Sequence, residues 1–523
     1  MADTTTELEV LDEIVDVLGG QSGQYETVVP VLRQIKELLA SGITDPESIA
    51  EAVTAWLDEH PEATTTVQDG SITEAKLAQA LKYVTIQPSD FPTLPYPVTR
   101  DLHGQYDVSA DILADKDTSE FYHYYVDSVN GSDSNAGTSA DAPVKSFKKA
   151  LTLALNKAAY ITIAAGSVFW DDDLYGEYSV NQSLVIDGNG STLIWGVKGA
   201  GWTAYEGKAG VYVSEDLSAK ACVGCVDMGA DNKDMYGFYK GMKPAASIDA
   251  MVANTYFWDA TNTVMYAYPR DGGNIADIHP MRASYGLRWN HLTASADTFM
   301  YLRNFEYIGS YFDSVRATAF PATQDLKYEG YFENISMSHG MTGDLFIVSN
   351  YDVSYVWGCK SGYSKLDAFN SHMNGLVDTS AQRDKLCVMV NCAATEAGWY
   401  DAATANIDNL YTAHEGMSIL RCNCNGSNAR GPMIADVNGC RSINLDCQLI
   451  NAGYSSSSIT AALSFNDVQA VQSGFITLQR VNVRDASHPS IAGLSCDCKL
   501  VMWDCDIAGS MNITKELAVT PDL

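Results

Sequence analysis

YVDSVNGSDSNAGTSADAPVKSFKKAL, residues 125–151, is the stretch that decides the fold of this chain. It begins as a β-strand and continues as a loop rich in Asn, Asp, Gly and Ser, residues that favour tight turns. A helix is predicted to follow Pro143, because a regular apolar spacing begins there. The apolar positions of this helix are Phe147, Ala150, Leu151 and Leu155.

Beyond this stretch, short apolar runs recur at intervals of roughly 20–30 residues, the period of solenoid proteins. Clear examples begin at Phe299, Tyr331, Leu386, Met417, Ser442, Phe475 and Lys499. Asparagine follows many of the runs, at Asn334, Asn391, Asn423 and Asn451. Because Asn tolerates positive φ, we expect these residues at the corners between strands. The pattern predicts a solenoid of stacked parallel strands over residues 121–510.

Residues 200–295 interrupt this rhythm. The segment is rich in Tyr and Met, and residues 257–268 have the pattern of a β-hairpin. We interpret 200–295 as a lobe inserted into the solenoid, and residues 511–523 as a C-terminal tail.

The residues before 121 differ from the solenoid in composition. Residues 1–66 show helical periodicity, and 67–120 combine a connector helix with a linker interrupted by Pro88, Pro92, Pro95 and Pro97. The apolar stripe of the connector helix consists of Ile72, Leu77 and Leu81. A stripe this short requires a packing partner, and two remain open: copies of itself in an oligomer, or another part of the same chain.

Charge and composition exclude several classes of partner. The chain has 65 acidic and 33 basic residues and a net charge of −32, which argues against binding to nucleic acid or anionic membranes. No apolar run reaches the roughly 18 residues of a membrane span, and the N-terminus lacks the pattern of a secretory signal. Among the 12 cysteines only Cys222 and Cys225 have CxxC spacing. We therefore expect buried, reduced thiols and predict no metal or cofactor site.

The stretch 125–151 resembles the opening of pectate-lyase-like right-handed β-helix proteins, in which a strand, a turn-rich loop and an Ala-Pro-x-x-Ser/Thr-Phe element lead into a capping helix. Residues 67–81, VQDGSITEAKLAQAL, are similar to connectors in phage tail fibres, spikes and head fibres. Leu366–His372 and Thr412–Gly416 resemble elements of phage β-helix proteins, although Ala368 replaces the usual Gly. The resemblance covers about 400 residues at the level of the fold.

This resemblance implies a phage virion protein: a tail-spike or tail-fibre appendage with a mainly β, right-handed parallel β-helix behind a small α-helical N-terminal region. It implies a homotrimer that attaches to other virion proteins (tail, baseplate or head) through residues 1–85 and contacts host cell-surface polysaccharide. Assembly in the host bacterial cytoplasm is expected. A head-fibre or decoration protein is a variant of the same interpretation.

Acidic and histidine side chains gather between residues 339 and 436, where stacked repeats bring them to one face. The catalytic candidates are Asp367, His372, Asp401, His414, Glu415 and Asp436. We expect His372 and His414 to meet across about two repeats. A glycosidase requires two carboxylates across a sugar groove, whereas a polysaccharide lyase requires a base and a cation or Arg beside a uronate. The arginines of this region are Arg383, Arg421, Arg430 and Arg441. The alternative is structural, because Asp, Asn and His also cap backbone groups at turns.

Aromatic residues flank this cluster and are candidates for stacking on sugar rings. They are Trp357, Tyr363, Trp399 and Tyr400. The alternative for each is packing in the core or between chains. Three functions follow from the sequence: a virion protein that binds glycan without cleaving it, the same architecture acting as a polysaccharide lyase or glycoside hydrolase, and a bacterial carbohydrate enzyme, for which residues 1–85 have no evident role.

Overall fold

A computed structural model describes the chain in the following ranges: 83–86, 91–101, 104–170, 174, 177–178, 181–214, 217, 222–282, 285–290, 296–310, 312–318, 326–341, 343–349, 351–372, 385–400, 408–453, 461–466, 474–484, 492–513 and 517–518. The predicted helices of residues 1–66, the connector helix of residues 67–81 and Asp401 lie outside these ranges. Among the described residues, no helix is long and apolar enough to cross a membrane.

A small antiparallel sheet lies in the region that the sequence predicted to be a linker. Its strands are β1 (Tyr83–Ile86), β2 (Val98–Asp101) and β3 (Tyr106–Val108), in the order β1-β2-β3. The prediction of an irregular linker was therefore wrong for these residues. Pro92, Pro95 and Pro97 lie between β1 and β2, where they break no strand pairing, and Val98, Tyr106 and Val108 are buried.

The rest of the described chain is mainly β, as predicted, and it contains parallel sheets. Its strands form three series, and within each series every strand pairs in parallel with the equivalent strand of the next repeat. The first series consists of β4 (Tyr122–Val126), β5 (Ala159–Ile163), β8 (Leu184–Ile194), β17 (Thr298–Ser310), β19 (Tyr328–Gly340), β21 (Val353–Trp357), β24 (Leu386–Val390), β27 (Ser418–Cys422), β30 (Arg441–Leu445), β33 (Phe475–Gln479), β36 (Lys499–Trp503) and β39 (Leu517–Ala518).

The second and third series follow the first in each repeat. The second consists of β6 (Val168–Trp170), the C-terminal halves of β8, β17 and β19, and then β22 (Lys360–Ser364), β25 (Ala393–Ala397), β28 (Asn425–Ala429), β31 (Gln448–Ala452), β34 (Asn482–Arg484) and β37 (Asp506–Ile507). The third consists of β7 (Glu177–Tyr178), β16 (Tyr285–Asn290), β18 (Phe312–Thr318), β20 (Phe346–Ser349), β23 (Phe369–His372), β26 (Tyr411–Ala413), β29 (Ile434–Val437), β32 (Ala461–Asn466), β35 (Ala492–Cys496) and β38 (Ser510–Ile513). Strand pairing thus extends past residue 510, into the predicted tail.

The apolar runs of the sequence are the strands of the first series, and their inward-facing side chains join one large apolar cluster with those of the other two series. All four predicted corner asparagines have positive φ: Asn334 (51°), Asn391 (53°), Asn423 (51°) and Asn451 (73°). They also form ladders between repeats, since Asn423 donates to Asn391 (2.8 Å) and Asn451 donates to Asn428 (2.9 Å). The prediction of Asn corners is confirmed.

The stretch 125–151 has the predicted structure. Its helix, α1 (Phe147–Ala154), begins after Ser146, whose hydroxyl accepts a hydrogen bond from the Lys149 N–H (3.1 Å). The Asp133 carboxylate in the turn-rich loop accepts hydrogen bonds from the backbone N–H groups of Lys145 and Ser146 (2.9 and 2.8 Å), which fixes the loop to the start of the helix. The sequence placed Leu155 on the apolar side of this helix, but Leu155 is exposed and Ala154 is buried in its place.

Between β8 and β16 the chain forms strands outside the three series, within the range predicted for the lobe; β16 (Tyr285–Asn290), which that range included, belongs to the third series. The lobe contains β9 (Thr203–Ala204), β10 (Tyr212–Ser214), β11 (Cys222–Asp227), β12 (Lys243–Pro244), β13 (Thr255–Asp259), β14 (Val264–Tyr268), a 3-10 helix (Ile275–Asp277) and β15 (Ile278–Arg282). Strands β13 and β14 form the expected antiparallel hairpin. Apolar side chains of the lobe, among them Phe238 and Met281, form a separate buried cluster together with Tyr363 and Ile308 of the second series.

Candidate functional site

A groove of about 450 Å³ runs along the third series, across β23, β26, β29 and β32. Its described lining combines carboxylates, amides and imidazoles with a few apolar side chains: Asp344, Leu366, Asp367, Asn370, His372, Asn409, Thr412, His414, Pro432, Ala435, Val437 and Ser464. The polar side chains that could carry out chemistry therefore lie on the face formed by the third series.

The register of the third series brings three polar residues to one level of the groove. Phe346, Phe369 and Tyr411 pair in adjacent repeats, and their rings pack inside the protein with centroids 5.4 Å apart at each step. Each aromatic residue is preceded, two positions earlier, by Asp344, Asp367 or Asn409. Because parallel strands in register align equivalent positions, these three side chains are neighbours.

Asp344 and Asp367 form a carboxylate pair that is held by amide donors. The Asn370 side chain donates to both carboxylates, at 3.0 Å to Asp344 Oδ2 and 3.2 Å to Asp367 Oδ2. The other oxygen of Asp367 accepts from the backbone N–H (2.7 Å) and the side-chain amide (3.1 Å) of Asn409. The two carboxyl groups are therefore in fixed positions.

The environments of the two carboxyl groups differ. Asp367 is buried and Asp344 is partly exposed. Burial, and then the neighbouring carboxylate of Asp344, raise the pKa of Asp367 well above its ordinary value of 3.8. Asp367 thus favours its protonated form at a pH where an exposed aspartate is ionised.

His372 and His414 lie next to each other, as predicted. Their rings lie parallel, with centroids 4.1 Å apart and planes inclined by 7°, and Glu415 Oε2 lies 3.6 Å from His372 Nδ1. Burial, and then the adjacent His372, lower the pKa of His414 to about 4, so its imidazole is neutral. The sequence placed these residues about two repeats apart, which was wrong. Because Ser371 pairs with Ala413, they lie in adjacent repeats.

Asp436 does not line the groove in the described structure. It pairs in register with Ala413, so it follows the inward-facing side of β29, and its side chain is enclosed. There its two oxygens accept from Arg421 Nη1 (2.8 Å) and Nη2 (2.7 Å). This placement supports a structural role for Asp436 and not the predicted catalytic one.

The aromatic candidates for glycan binding lie away from the groove. Tyr363 and Tyr400 are buried beneath the inserted lobe, where Tyr400 bonds His339 (2.8 Å) and Tyr363 donates to Asp234 (3.2 Å). The Lys243 ammonium of the lobe lies 3.2 Å from the ring centre of Trp399. These three residues anchor the lobe, so the prediction that they stack on sugars is not supported.

Trp357 lies on the first series and not on the third. It is half-buried and packs edge-to-face on Tyr301, with ring centroids 5.9 Å apart. Its predicted role in glycan binding is therefore not supported at this groove either.

Several groove residues were missed by the sequence reasoning, namely Asp344, Asn370, Asn409 and Thr412. The sequence does contain a signal for Asp344 and Asn409. Asp344-Leu-Phe346, Asp367-Ala-Phe369 and Asn409-Leu-Tyr411 repeat the pattern Asp/Asn-x-aromatic. Aligning these three triplets would have placed Asp344 and Asn409 beside Asp367.

No protein-family model matches this chain, and no curated protein matches its sequence. Three solved structures are similar to it in fold. A glycoside hydrolase shares 11% identity over 75% of this chain and 95% of its own, with a TM-score of 0.47. XylC in complex with xylose shares 8% identity over 75% of this chain and 65% of its own (TM-score 0.41), and a rhamnogalacturonan lyase shares 11% identity over 73% of this chain and 72% of its own (TM-score 0.31). The names of the first and third denote enzymes that act on carbohydrates, but at these TM-scores and identities the likeness does not assign a function to this chain.

Proposed function

We propose that residues 122–518 form a right-handed parallel β-helix whose groove binds a glycan and hydrolyses a glycosidic bond. Asp367 is the general acid, and Asp344 is its ionised partner. The observation that carries this proposal is the pair of carboxyl groups bridged by Asn370, one buried and one partly exposed.

The acid role of Asp367 rests on its environment. A general acid must carry its proton near neutral pH, and burial beside a second carboxylate favours that protonated state. Both effects act on Asp367 and raise its pKa. The protonated group can then donate its proton to the oxygen of the leaving sugar.

The role of Asp344 rests on exposure and distance. It is partly exposed at the groove, where water and substrate reach it. Since Asn370 Nδ2 lies 3.0 and 3.2 Å from the two carboxylates, their nearest oxygens are at most about 6 Å apart. Retaining glycosidases have carboxyl groups about 5–5.5 Å apart, and inverting enzymes about 6.5–9.5 Å. We therefore propose that Asp344 attacks the anomeric carbon while the leaving oxygen takes the proton of Asp367, and that water, deprotonated by the Asp367 carboxylate, then releases the sugar from Asp344. The anomeric configuration is then retained.

The structure places two of the four candidate arginines, Arg421 and Arg441, away from the groove. A lyase uses a cation or Arg to neutralise the uronate, and Arg421 was a candidate. In the structure Arg421 is bound to Asp436 inside the protein, and Arg441 donates to the hydroxyl of Ser418 (3.0 Å) in the first series. Both guanidinium groups are therefore engaged away from the groove.

The experiment is incubation of the full chain with a panel of neutral and uronate-containing polysaccharides, including bacterial capsule and cell-wall preparations. New reducing ends indicate hydrolysis, and absorbance from 4,5-unsaturated uronates indicates elimination. We expect reducing ends, lost by about 10²–10⁴-fold in Asp367→Asn and also lost in Asp344→Asn. The control, Asp141→Asn, changes an exposed carboxylate outside the groove and should retain activity. Unsaturated products, or full activity in Asp367→Asn, would contradict the proposal.

The site of action remains a prediction from the resemblance of residues 67–81 and 125–151. We propose that the chain is part of a phage appendage, trimeric and attached through residues 1–85 to other virion proteins, and that it acts on host surface polysaccharide. Mass spectrometry of purified particles tests this assignment. Absence of the chain from virions would contradict it without affecting the proposed chemistry of the groove.

A further inference from the structure

A second set of side chains in the groove has a different chemistry from the carboxylate pair. His372, His414 and Glu415 each offer one potential metal-ligand atom, and these three atoms all lie within 4.8 Å of one another. His372 and His414 line the groove, whereas Glu415 is the residue directly after His414.

The fold places the three residues together. His372 ends β23, and since Ser371 pairs with Ala413 in β26, His414 lies directly beside it in the next repeat. The His414 N–H donates to the Ser371 carbonyl (3.0 Å), which continues the ladder to this point. Glu415 then has a φ of 56°, so the backbone turns immediately after the histidine pair. Strand pairing, and not a flexible loop, therefore sets the positions of both imidazoles.

One ring nitrogen in this group lacks a hydrogen-bond partner. His372 Nδ1 is enclosed and makes no hydrogen bond within the described part of the chain, although Glu415 Oε2 lies 3.6 Å away. Buried polar atoms are almost always paired, because an unpaired one loses its hydration without compensation. A ligand that accepts electron density from this nitrogen would satisfy it.

We propose that His372, His414 and Glu415 bind a divalent transition-metal ion of the zinc type at the groove. Two imidazole nitrogens and one carboxylate oxygen are the protein ligands of open zinc sites, in which a further coordination position remains for water or substrate. Nitrogen ligands favour zinc, copper, nickel and iron over calcium and magnesium, which prefer oxygen.

The three ligand atoms are close enough for one ion, but the two imidazoles must turn out of their parallel stack to bind it. Two nitrogens that each lie about 2.0–2.1 Å from one zinc ion are at most about 4.2 Å apart. The centroids of the two imidazoles are already 4.1 Å apart, and the three ligand atoms lie within 4.8 Å. The rings are nearly parallel (7°), and since the lone pair of an imidazole nitrogen lies in the ring plane, side-chain rotations must turn the rings until both lone pairs point at the ion. The open coordination position adjoins the groove that we propose for glycan.

The experiment uses the tag-free full chain, stripped with chelator, and titrates it with Zn²⁺ by calorimetry. The visible absorption of added Co²⁺ reports the coordination independently. We expect one ion per chain, and at least tenfold weaker binding in His372→Gln, in His414→Gln and in Glu415→Gln. The matched control is His123→Gln, since His123 also stacks on a ring, that of Tyr160 at 5.2 Å, but lies in β4. Circular dichroism and the melting temperature of each variant confirm folding.

Two results would overturn the metal site. One is a wild-type chain that binds no Zn²⁺, and the other is unchanged binding in the His372→Gln/His414→Gln double variant, which would assign the ion to other groups such as thiols. The measurement needs no glycan, and the hydrolysis assay of Asp367→Asn needs no added metal. Failure of one proposal is therefore distinguishable from failure of the other.

Discussion

The ion pair between Arg421 and Asp436 offers a direct test of the interior of the third series. Both side chains have 0% exposure, and the carboxylate accepts two hydrogen bonds from the guanidinium. Asp436→Asn removes the negative charge and leaves the Arg421 cation enclosed without its counter-ion. The variant should fold with a large loss of stability.

The expected loss follows from the burial of the pair. Removing one partner of a buried ion pair costs about 3–5 kcal/mol, because the remaining charge has neither water nor a counter-ion. A loss of about 4 kcal/mol corresponds to a fall in Tm of roughly 5 °C, given an unfolding entropy of about 2.1 cal/mol/K per residue over roughly 400 residues. Replacing both partners by apolar residues, Arg421→Met with Asp436→Leu, should recover most of the loss, since no buried charge remains.

The assay is equilibrium unfolding in urea, followed by circular dichroism, with the melting temperature as a second measure. The control is Asp446→Asn, because Asp446 accepts two hydrogen bonds from Arg480 at a partly exposed corner (2.6 and 3.0 Å). A pair exposed to water should cost only about 0–1 kcal/mol when broken. A loss below about 1 kcal/mol in Asp436→Asn, or a double variant that is no more stable than Asp436→Asn, would refute the reasoning.

Three further predictions concern the carboxylate pair, the corners and the thiols. The pKa of Asp367 is raised above 3.8 on folding, so its contribution to stability is present below that pH and is lost as the pH rises through the raised pKa. Asp367→Asn cannot ionise, and its Tm relative to wild type should increase as the pH rises above about 4; a constant difference would contradict the shift. Asn423→Ala should cost about 1–2 kcal/mol in urea unfolding, because the residue has a φ of 51° and bonds Asn391, whereas Asn423→Gly should cost less; equal losses would argue against backbone strain. Eleven of the twelve cysteines are buried and Cys505 is partly exposed, so a thiol-specific dye should label at most one site in the native protein and all twelve after unfolding; early labelling of several thiols would contradict their burial.

The repetitive part of the fold was predictable because it is encoded locally. Apolar runs, turn residues and the helix start at Ser146 each specify a strand, a corner or a cap without reference to distant residues. Asparagine marked four corners correctly. Other corners are occupied by Asp446, Arg480 and Asp504, all with positive φ. These residue types do not identify a corner in the sequence, because the stacking of neighbouring repeats imposes the positive φ on them.

The candidate site was predictable only in part, because its geometry depends on register. His372 and His414 were expected to meet, and they do, yet the length of the repeat that separates them could not be read from the sequence. A shift of one residue moves a side chain to the opposite face of a strand. Sequence spacing alone therefore could not decide that Asp436 faces the interior. The burial of Tyr363 depends on a lobe whose docking involves residues far away in the sequence.

The most direct test of the central claim is the structure of the Asp367→Asn variant soaked with an oligosaccharide from whichever polysaccharide the wild type cleaves. The variant should retain the sugar, and our account predicts a glycosidic oxygen within hydrogen-bonding distance of residue 367 and an anomeric carbon facing the Asp344 carboxylate. Sugar density elsewhere on the chain, with this groove empty, would contradict it.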